Sequence, residues 1–330
     1  MTALDQFNQS IADVFNKQKP PDRVVLLQID LSKAFDMVNH EKLLNDLNQT
    51  TLLGPIKRWF NCYLLGRQSK VQFRLQTSSA RNVRTGVPQG AVTSPILFNF
   101  YLTKIPTPPS NITLIQYADD ISVYATGSNI FSLSASVTQF ITSVEDYLTE
   151  RDSIVTPEKS TVTLFTPDTK EFKIHPKVKM QGHKVRLDQN PKLLGVTFDT
   201  MFNFSAHVKN TVTKAKSKLN ILKALAVSTW GQDKGTIVIT YKSIIRSTLE
   251  YAAPVWIPSV CPSNWDKLES IQNQALRIAS GCLLMSSSDH IHQECKVLPL
   301  KQHSQLLCKQ YLAGSFLPIH PGNKILNNPH

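Results

Sequence analysis

A run of apolar residues at strict helical spacing constrains the fold of this chain more than any other feature. The apolar side chains recur three or four positions apart, at Ile130, Leu133, Val137, Phe140, Ile141, Val144 and Leu148. This spacing places them on one face of a long helix, and such a face has to be buried against another element. Strand-like segments lie before and after the run, so we predict that the helix covers one face of a β-sheet.

Two segments before this helix predict the centre of the sheet. Residues 24–29 are almost continuously apolar and rich in β-branched side chains, a pattern typical of a strand that is buried on both faces. Residues 111–125 predict a β-hairpin whose polar turn contains Asp119 and Asp120. Further short strands are predicted at residues 71–75, 161–165, 185–187 and 193–198.

The remaining apolar patterns predict helices. They cover residues 4–15, 39–47, 56–65 and 95–102 before the hairpin, and residues 208–222, 244–249 and 268–278 after the last strand. We therefore predict an α+β fold, in which an antiparallel sheet backed by helices is followed by a mostly helical domain. The predicted domains are residues 1–23, 24–200 and 201–330.

Charge and composition narrow the class of protein and its partners. The chain of 330 residues has a formal net charge of +12, so its surface attracts polyanions, nucleic acid first among them. An apolar content of 41% is enough for a packed core and excludes a disordered chain. No apolar run approaches the roughly 20 residues of a membrane helix, so we expect no membrane partner.

The five cysteines predict neither disulfides nor a zinc site. Their number is odd and their spacing is wide, which is typical of a protein in a reducing compartment. His290, His292, Cys295 and His303 lie close in sequence, but their spacing matches no standard zinc pattern. We interpret these four side chains as surface groups.

Three carboxylates are the candidates for chemistry. Asp30 directly follows the strand at residues 24–29, and Asp119 and Asp120 occupy the turn of the hairpin. Carboxylate oxygens bind hard divalent cations, and two such cations can activate an attacking hydroxyl and stabilise a leaving pyrophosphate. An Asp-Asp pair by itself is more often a turn former, so the neighbouring residues decide the interpretation.

Those neighbouring residues resemble a known family. Residues 28–40 (QIDLSKAFDMVNH), residues 86–90 (GVPQG) with Ser94 and Pro95, and residues 117–120 (YADD) resemble motifs A, B and C of non-LTR retrotransposon reverse transcriptases. Residues 156–159 (TPEK) and 193–196 (LLGV) resemble motifs D and E, and all five motifs occur in the family's order. The chain is thus similar to a LINE-type, jockey-like reverse transcriptase, and residues 201–300 resemble the thumb more loosely.

The resemblance implies a fold and an activity. It implies a right-hand polymerase palm at residues 24–200, a helical thumb and C-terminal extension at residues 201–330, and a remnant of the fingers at residues 1–23. It also implies an RNA-directed DNA polymerase that uses two Mg²⁺ or Mn²⁺ ions. The implied partners are an RNA template, a DNA primer and deoxynucleoside triphosphates, and the implied location is the nucleus.

Position by position, the resemblance assigns roles in the palm. Asp30 and Asp119 would be metal ligands together with the backbone carbonyl of Leu31, and Asp120 would be a supporting carboxylate at the primer end of the same metal site. Lys159 would act as general acid towards the leaving pyrophosphate. The competing interpretation of Lys159 is an ordinary exposed lysine.

The same comparison assigns the nucleotide pocket. Phe35 would be the steric gate that excludes a ribose 2′-hydroxyl, although a core phenylalanine is the alternative interpretation. Gln89 would line the pocket of the incoming nucleotide, and Gly90 would let the backbone approach the substrate. Lys33, Asp36 and His40 also match motif A, but no chemistry follows for them.

Two further sets concern the nucleic acid. Leu194 and Gly195 match the primer grip in motif E. Lys209, Lys216 and Lys223 recur every seven residues and line one side of a thumb helix, beside its apolar stripe. Such a row can track a duplex backbone, and a solvated helix face is the alternative interpretation.

The sequence also departs from the family pattern. Only about 20 residues precede the motif A strand, and no endonuclease, zinc-knuckle or RNase H segment is evident. We therefore expect most of the fingers to be missing. The alternative to an active polymerase is a catalytically incomplete remnant that still binds nucleic acid. A maturase or telomerase-like relative is disfavoured by the sequences around Asp36 and Asp119, and the oligomeric state is left open.

Overall fold

The computed structural model describes residues 2–17, 21–227 and 231–317. Contacts divide the chain into two units, which are described separately. The sheet unit comprises residues 17–188, and the helical unit comprises residues 1–16 and 189–330. This division differs from the predicted boundary near residue 200, and it assigns the first helix, α1 (Thr2–Asn16), to the helical unit instead of the fingers remnant.

The α1 helix belongs to the helical unit because of what its apolar face contacts. The side chains of Leu4, Phe7 and Ile11 are buried, and the Phe7 ring packs edge-to-face on Phe198 with 5.1 Å between ring centroids. The predicted strand at residues 193–198 explains the rest of the difference. Its residues pair with each other and do not extend the central sheet.

The sheet unit contains four α-helices, two 3-10 turns and thirteen strands among its described residues. Its elements in chain order are β1 (Arg23–Ile29), β2 (Leu31–Ser32), α2 (His40–Asn48), α3 (Gly54–Leu64), β3 (Gln68–Ser69), β4 (Gln72–Phe73), β5 (Gln76–Thr77), β6 (Arg81–Asn82), α4 (Ser94–Tyr101), β7 (Ile112–Tyr117), β8 (Asp120–Gly127), α5 (Ile130–Glu150), β9 (Ile154–Val155), β10 (Thr161–Phe165), β11 (Lys179–Met180), β12 (His183–Lys184) and β13 (Arg186–Leu187). The two 3-10 turns lie at Ala34–Asp36 and Thr169–Glu171.

The central sheet has the strand order β13-β10-β1-β8-β7. All its pairs are antiparallel except the edge pair of β10 and β13, which is parallel. Strand β1 lies in the middle, and its residues Val24 to Leu27 are fully buried, which confirms the strand predicted to be buried on both faces. The predicted α+β fold with an antiparallel sheet backed by helices is confirmed.

The long helix α5 covers one face of this sheet, as its spacing predicts. Asn129 caps its first turn by accepting hydrogen bonds from the backbone N–H groups of Phe131 and Ser132. The apolar stripe of α5 is buried in one core with the side chains of β1 and β8. Burial of a side chain of this kind stabilises a fold by about 1.5–3 kcal/mol, so α5 fixes the position of the sheet beneath it.

Two predicted strands are wrong in their detail. Residues 71–75 contain one short strand and the turn of a hairpin that ends with β5, and residues 193–198 contain the turn of a second short hairpin at residues 192–197. The turns place Arg74 (φ 55°) and Leu194 (φ 46°) in the left-handed region, which residues with a side chain rarely adopt. The apolar pattern gives no sign of either reversal, and only Gly195 is a turn-forming residue.

The helical unit contains, after α1, the short hairpin β14 (Lys192–Leu193) and β15 (Val196–Thr197). Its further helices are α6 (Ser205–Leu225), α7 (Lys234–Thr240), α8 (Ser247–Leu249), α9 (Ala253–Trp256), α10 (Pro262–Ser280), α11 (Ser288–Cys295) and α12 (Leu300–Ser315), with a π-helical segment at Tyr241–Arg246. The mostly helical character predicted for this region is confirmed. Across the described residues, the structure contains no helix with the length and apolar character needed to span a bilayer.

The cysteine and histidine side chains near the C-terminus are not all surface groups. His292 and Cys295 are buried, which corrects the sequence interpretation. His292 Nε2 shares a hydrogen bond of 3.1 Å with Gln272, and His303 Nδ1 lies 2.8 Å from Glu250. His292 and Cys295 lie on the buried face of α11, His290 is exposed, and His303 on α12 is half-buried.

Candidate functional site

The end of the central strand and the tip of the hairpin meet at one edge of the sheet. The register pairs Ile29 of β1 with Ile121 of β8, so the following residue, Asp30, lies level with Asp120. Asp119 occupies the tip beside it. The structure therefore brings the three predicted carboxylates to the same edge, while their roles as metal ligands stay a prediction.

These carboxylates are open to solvent. The Asp30 side chain is 43% exposed, and Asp119 and Asp120 are exposed. Three carboxylates on one accessible edge are the oxygen donors that a hard cation such as Mg²⁺ prefers, so the donor chemistry fits. Within residues 2–17, 21–227 and 231–317, however, no three acidic, histidine or cysteine side chains converge into a ready coordination sphere.

Lys159 is the cation that approaches this edge. Its Nζ lies 3.9 Å from Oδ2 of Asp30. The turn that carries it is tied to the end of β1, because the Thr156 N–H donates to the Asp30 carbonyl at 2.9 Å. The Asp30 N–H in turn donates to Ser160 Oγ at 3.1 Å. Motif D is thus held against motif A by hydrogen bonds to both the N–H and the carbonyl of Asp30.

The loop after Asp30 docks on the loop of motif B. The Val87 N–H donates to the Phe35 carbonyl and the Gly86 N–H to the Val38 carbonyl, each at 2.8 Å. Gly86 has a φ of +87°, and a Cβ there would lie 2.8 Å from the backbone oxygen of Asp36. Only glycine allows the two loops to approach this closely.

His40 and Asp36 complete this docking, and sequence reasoning gave neither a role. His40 is buried, and its Nε2 forms a 2.7 Å hydrogen bond with the Gly86 carbonyl. Asp36 Oδ1 accepts a 3.1 Å hydrogen bond from Gln89 Nε2. The available signal was their match to motif A, but only the structure shows that both side chains join motif A to motif B.

The predicted nucleotide-pocket residues lie around these two loops. The Phe35 ring is half-buried and stacks on Phe98, with 4.8 Å between centroids and 24° between planes. Gln89 and Gly90 are exposed, and a Cβ at Gly90 would meet no atom within 4 Å. Leu31 is buried and pairs with Val155. Phe35 therefore has both a packed side and an accessible side.

In the helical unit, the predicted primer-grip residues form the turn of the β14–β15 hairpin. Leu194 and Gly195 both have positive φ values, 46° and 88°. The Tyr251 hydroxyl donates to the Leu194 carbonyl at 2.9 Å, and a Cβ at Gly195 would lie 3.0 Å from the Tyr251 ring. The tyrosine thus braces the turn from one side.

The base of the same hairpin is tied to α6. The Thr197 N–H donates to Nδ1 of His207 at 3.2 Å. His207 is buried against Trp256, and burial, with a smaller contribution from Lys214, lowers its pKa to about 4. The ring is therefore neutral near pH 7, which is the state that accepts this hydrogen bond.

The predicted lysine row lies on the surface of α6. Lys209, Lys216 and Lys223 are exposed. Lys209 and Lys216 line a groove of about 810 Å³, and Lys209 also lines a second groove of about 640 Å³ beside the hairpin turn. The lining of that second groove is basic and hydroxyl-rich without a carboxylate, and includes Lys192, Lys214, Lys218, Ser247, Thr248 and Tyr251.

Comparison with known proteins shows which family this chain belongs to. The family model described as reverse transcriptase (RNA-dependent DNA polymerase) matches residues 4–198. Three relatives come from Drosophila melanogaster. The chain is 25% identical to the "Probable RNA-directed DNA polymerase from transposon X-element", over 89% of this chain and 32% of that protein. It is 24% identical to the corresponding protein of transposon BS, over 89% and 34%. It is 25% identical to the RNA-directed DNA polymerase of mobile element jockey, over 89% and 32%.

These matches cover most of this chain but only part of each relative. The chain spans about a third of the length of these curated relatives. The family match covers more than half of the chain and includes all five motifs. The resemblance to LINE-type, jockey-like enzymes is confirmed by the three relatives. The chain therefore belongs to the reverse transcriptase (RNA-dependent DNA polymerase) family, in its non-LTR retrotransposon branch.

Proposed function

We propose that this chain is the polymerase core of a retrotransposon reverse transcriptase, which adds deoxynucleotides to a primer on an RNA template. One observation carries the proposal: Asp30, Asp119 and Asp120 lie at a single solvent-facing edge of the sheet, with Lys159 3.9 Å from Asp30. In this proposal the sheet unit supplies the palm, and the helical unit supplies the thumb. Nuclear synthesis, implied by the resemblance, belongs to the same proposal.

The metal chemistry follows from the donor set. Asp30, Asp119 and the Leu31 carbonyl would hold divalent cations, Mg²⁺ or Mn²⁺, with Asp120 as a further carboxylate. Two such ions supply activation of the primer hydroxyl and charge neutralisation on the leaving pyrophosphate. The chain's own contribution is an oxygen-rich edge at the end of a buried strand, where the backbone is fixed by pairing on both sides.

Lys159 would neutralise and protonate the leaving pyrophosphate. Its side chain is 69% exposed, as that of an ordinary surface lysine would be, but the turn that carries it is fixed to Asp30. A cation held at the reaction centre stabilises the negative charge that develops on the leaving group. Its tethered position supports this role over that of an ordinary surface charge.

The docked loops of motifs A and B would select the nucleotide. Phe35 is held by its stacking on Phe98, so its accessible side forms a rigid wall where a 2′-hydroxyl would otherwise fit. Gln89 is oriented by its hydrogen bond to Asp36. The open space beside Gly90 would let a nucleotide approach the backbone.

The helical unit would bind the nucleic acid. The turn at Leu194 and Gly195, braced by Tyr251, would contact the primer strand. The lysines of α6, Lys209, Lys216 and Lys223, would bind phosphates, since exposed cations release counterions when they neutralise a nucleic-acid backbone.

A second candidate is a catalytically incomplete remnant that binds nucleic acid without extending a primer. The observation in its favour is that the described carboxylates do not converge into a coordination sphere as they stand. The two candidates share the basic surfaces, and they differ in whether the sheet edge performs chemistry.

Primer extension distinguishes them. The purified chain is incubated with a DNA primer on an RNA template, deoxynucleoside triphosphates and Mg²⁺ or Mn²⁺. We expect extension that is lost in the Asp119→Asn, Asp120→Asn double variant. Salt-sensitive binding of the primed template without any extension would instead support the remnant.

A further inference from the structure

The stretch between α2 and the hairpin tip has an extreme charge imbalance. No carboxylate occurs between Asp46 and Asp119, although the whole chain has 24 acidic residues. The same stretch contains eight cations, namely Lys57, Arg58, Arg67, Lys70, Arg74, Arg81, Arg84 and Lys104. Of these eight cations, only Lys104 forms a salt bridge within the described residues, and its partner is Asp46. Seven positive charges of the sheet unit therefore have no acidic partner among these residues.

Four of these cations belong to one β-ribbon. The ribbon comprises residues 67–83, and its base is closed by the Val83 N–H, which donates to the Arg67 carbonyl at 2.9 Å. Strands β3 and β6 pair near the base, and strands β4 and β5 pair at the end. Every residue from Gln68 to Asn82 is exposed, so the ribbon's side chains are available to a partner.

The end of the ribbon also carries exposed apolar and aromatic side chains. Val71, Phe73 and Leu75 are 71%, 70% and 99% exposed. The Arg74 guanidinium lies over the Phe73 ring, 5.4 Å from its centroid. An exposed ring flanked by a planar cation is a platform on which an unpaired base stacks.

Similar flat groups lie where the ribbon joins α3. The rings of Trp59 and Tyr63 are stacked, with 4.9 Å between centroids and 10° between planes. The Arg67 guanidinium lies over the Tyr63 ring, 5.7 Å from its centroid. Aromatic rings interleaved with cations thus occur at both ends of the ribbon.

This combination fits a nucleic acid better than a protein. The core of a protein interface is depleted of charge, whereas this ribbon presents positive charges along its length. A duplex has its base faces stacked internally, so it offers nothing for an exposed Phe73 to stack on. A single strand offers both phosphates for the cations and free base faces for the ring.

We propose that the ribbon of residues 67–83 is a binding arm for single-stranded nucleic acid, with its cations on phosphates and Phe73 stacked on a base. The proposal rests on the proposed polymerase function only in that the bound strand would be the unpaired template. Its binding step requires neither metal nor nucleotide.

The test is equilibrium binding of a fluorescent oligouridylate over a series of salt concentrations, with chelator present and no nucleotide. The variant Lys70→Ser, Arg74→Ser, Arg81→Ser removes three exposed cations. Each lost phosphate contact lowers the salt slope by about 0.7, so the slope should fall by about 2. The matched control, Lys170→Ser, Lys173→Ser, Lys184→Ser, removes three exposed cations elsewhere in the sheet unit and should bind as the unchanged chain does.

The stacking step is tested separately. Phe73→Ala should weaken binding roughly tenfold with the salt slope unchanged, and Phe73→Trp should retain tight binding. Equal losses in the ribbon and control triple variants would overturn the proposal, as would unchanged binding in Phe73→Ala. An equal loss of binding to a blunt duplex would overturn the commitment to a single strand.

These readouts separate the arm from the polymerase. If the unchanged chain fails to extend primers while the ribbon variants lose oligouridylate binding, the polymerase function is contradicted and the arm is supported. The reverse pattern would support the polymerase and contradict the arm.

Discussion

At the scale of single residues, two glycines with nearly the same backbone angle have different surroundings. Gly86 (φ +87°) lies against the backbone of Asp36, whereas Gly90 (φ +88°) faces open space. A side chain is strained at both positions, but it clashes with backbone only at Gly86. The sequence marks both as glycines of one motif, and only the structure separates their roles.

This difference gives a matched pair of variants. Gly90→Ala should cost about 1–2 kcal/mol, the conformational cost of a left-handed residue. Gly86→Ala should lower the free energy of unfolding by about 1 kcal/mol more than Gly90→Ala, because the two loops must separate to admit the Cβ. Urea unfolding of both variants measures the two costs, and equal values would contradict the close docking of the loops.

His207 gives a pH dependence whose sign follows from its burial. The folded pKa of about 4 lies below the ordinary value of 6.5, so the unfolded chain binds the proton first as pH falls. The histidine's contribution is therefore present above pH 6.5 and is lost as pH falls towards 4. Between about pH 7.5 and pH 5, the loss should be about 2 kcal/mol.

The measurement compares unfolding free energies of the unchanged chain and of His207→Gln at both pH values. The glutamine keeps an acceptor for the Thr197 N–H but does not titrate. The difference between the two proteins should shrink by about 2 kcal/mol at the lower pH. A difference that is independent of pH would show that His207 is not buried in its neutral form.

At the scale of elements, the sequence predicts what periodicity determines. The helix α5, the strand β1 and the β7–β8 hairpin form where their apolar patterns predict them, because burial of those faces decides their position. The reversals at Arg74 and Leu194 were not predicted, since left-handed residues with side chains follow no apolar pattern. The docking roles of His40 and Ser160 likewise depend on long-range contacts that no local pattern indicates.

The β14–β15 turn should be energetically coupled to Tyr251. Gly195→Ala brings a Cβ within 3.0 Å of the Tyr251 ring, and Tyr251→Ala removes that ring. Gly195→Ala should therefore cost less in the Tyr251→Ala background, with a coupling of about 0.5–3 kcal/mol. A double-mutant cycle by urea unfolding measures this coupling, and strictly additive costs would contradict the brace.

At the scale of the whole molecule, the first helix follows the helical unit although it precedes the first strand of the sheet unit in sequence. Its apolar face is fully buried, and Phe7 packs on Phe198. The sequence resemblance assigned residues 1–23 to a remnant of the fingers, whereas contacts group α1 with the helical unit.

Phe7→Ala tests this grouping. A buried Phe-to-Ala change typically costs about 3–5 kcal/mol, from lost burial and from the cavity it leaves. Hydrogen exchange should show the loss of protection in residues 189–317, with residues 21–188 much less affected. A loss concentrated in the sheet unit would contradict the division.

In the proposed function, the sheet edge at Asp30, Asp119 and Asp120 would perform template-directed nucleotidyl transfer. The most direct measurement is single-turnover addition of one deoxynucleotide to a DNA primer, with each of the four template bases in turn. We expect addition of the complementary nucleotide only. Addition should be abolished in Asp30→Asn and retained in Asp168→Asn, which changes an aspartate elsewhere in the sheet unit. Addition that ignores the template base, or that survives in Asp30→Asn, would contradict the proposed function.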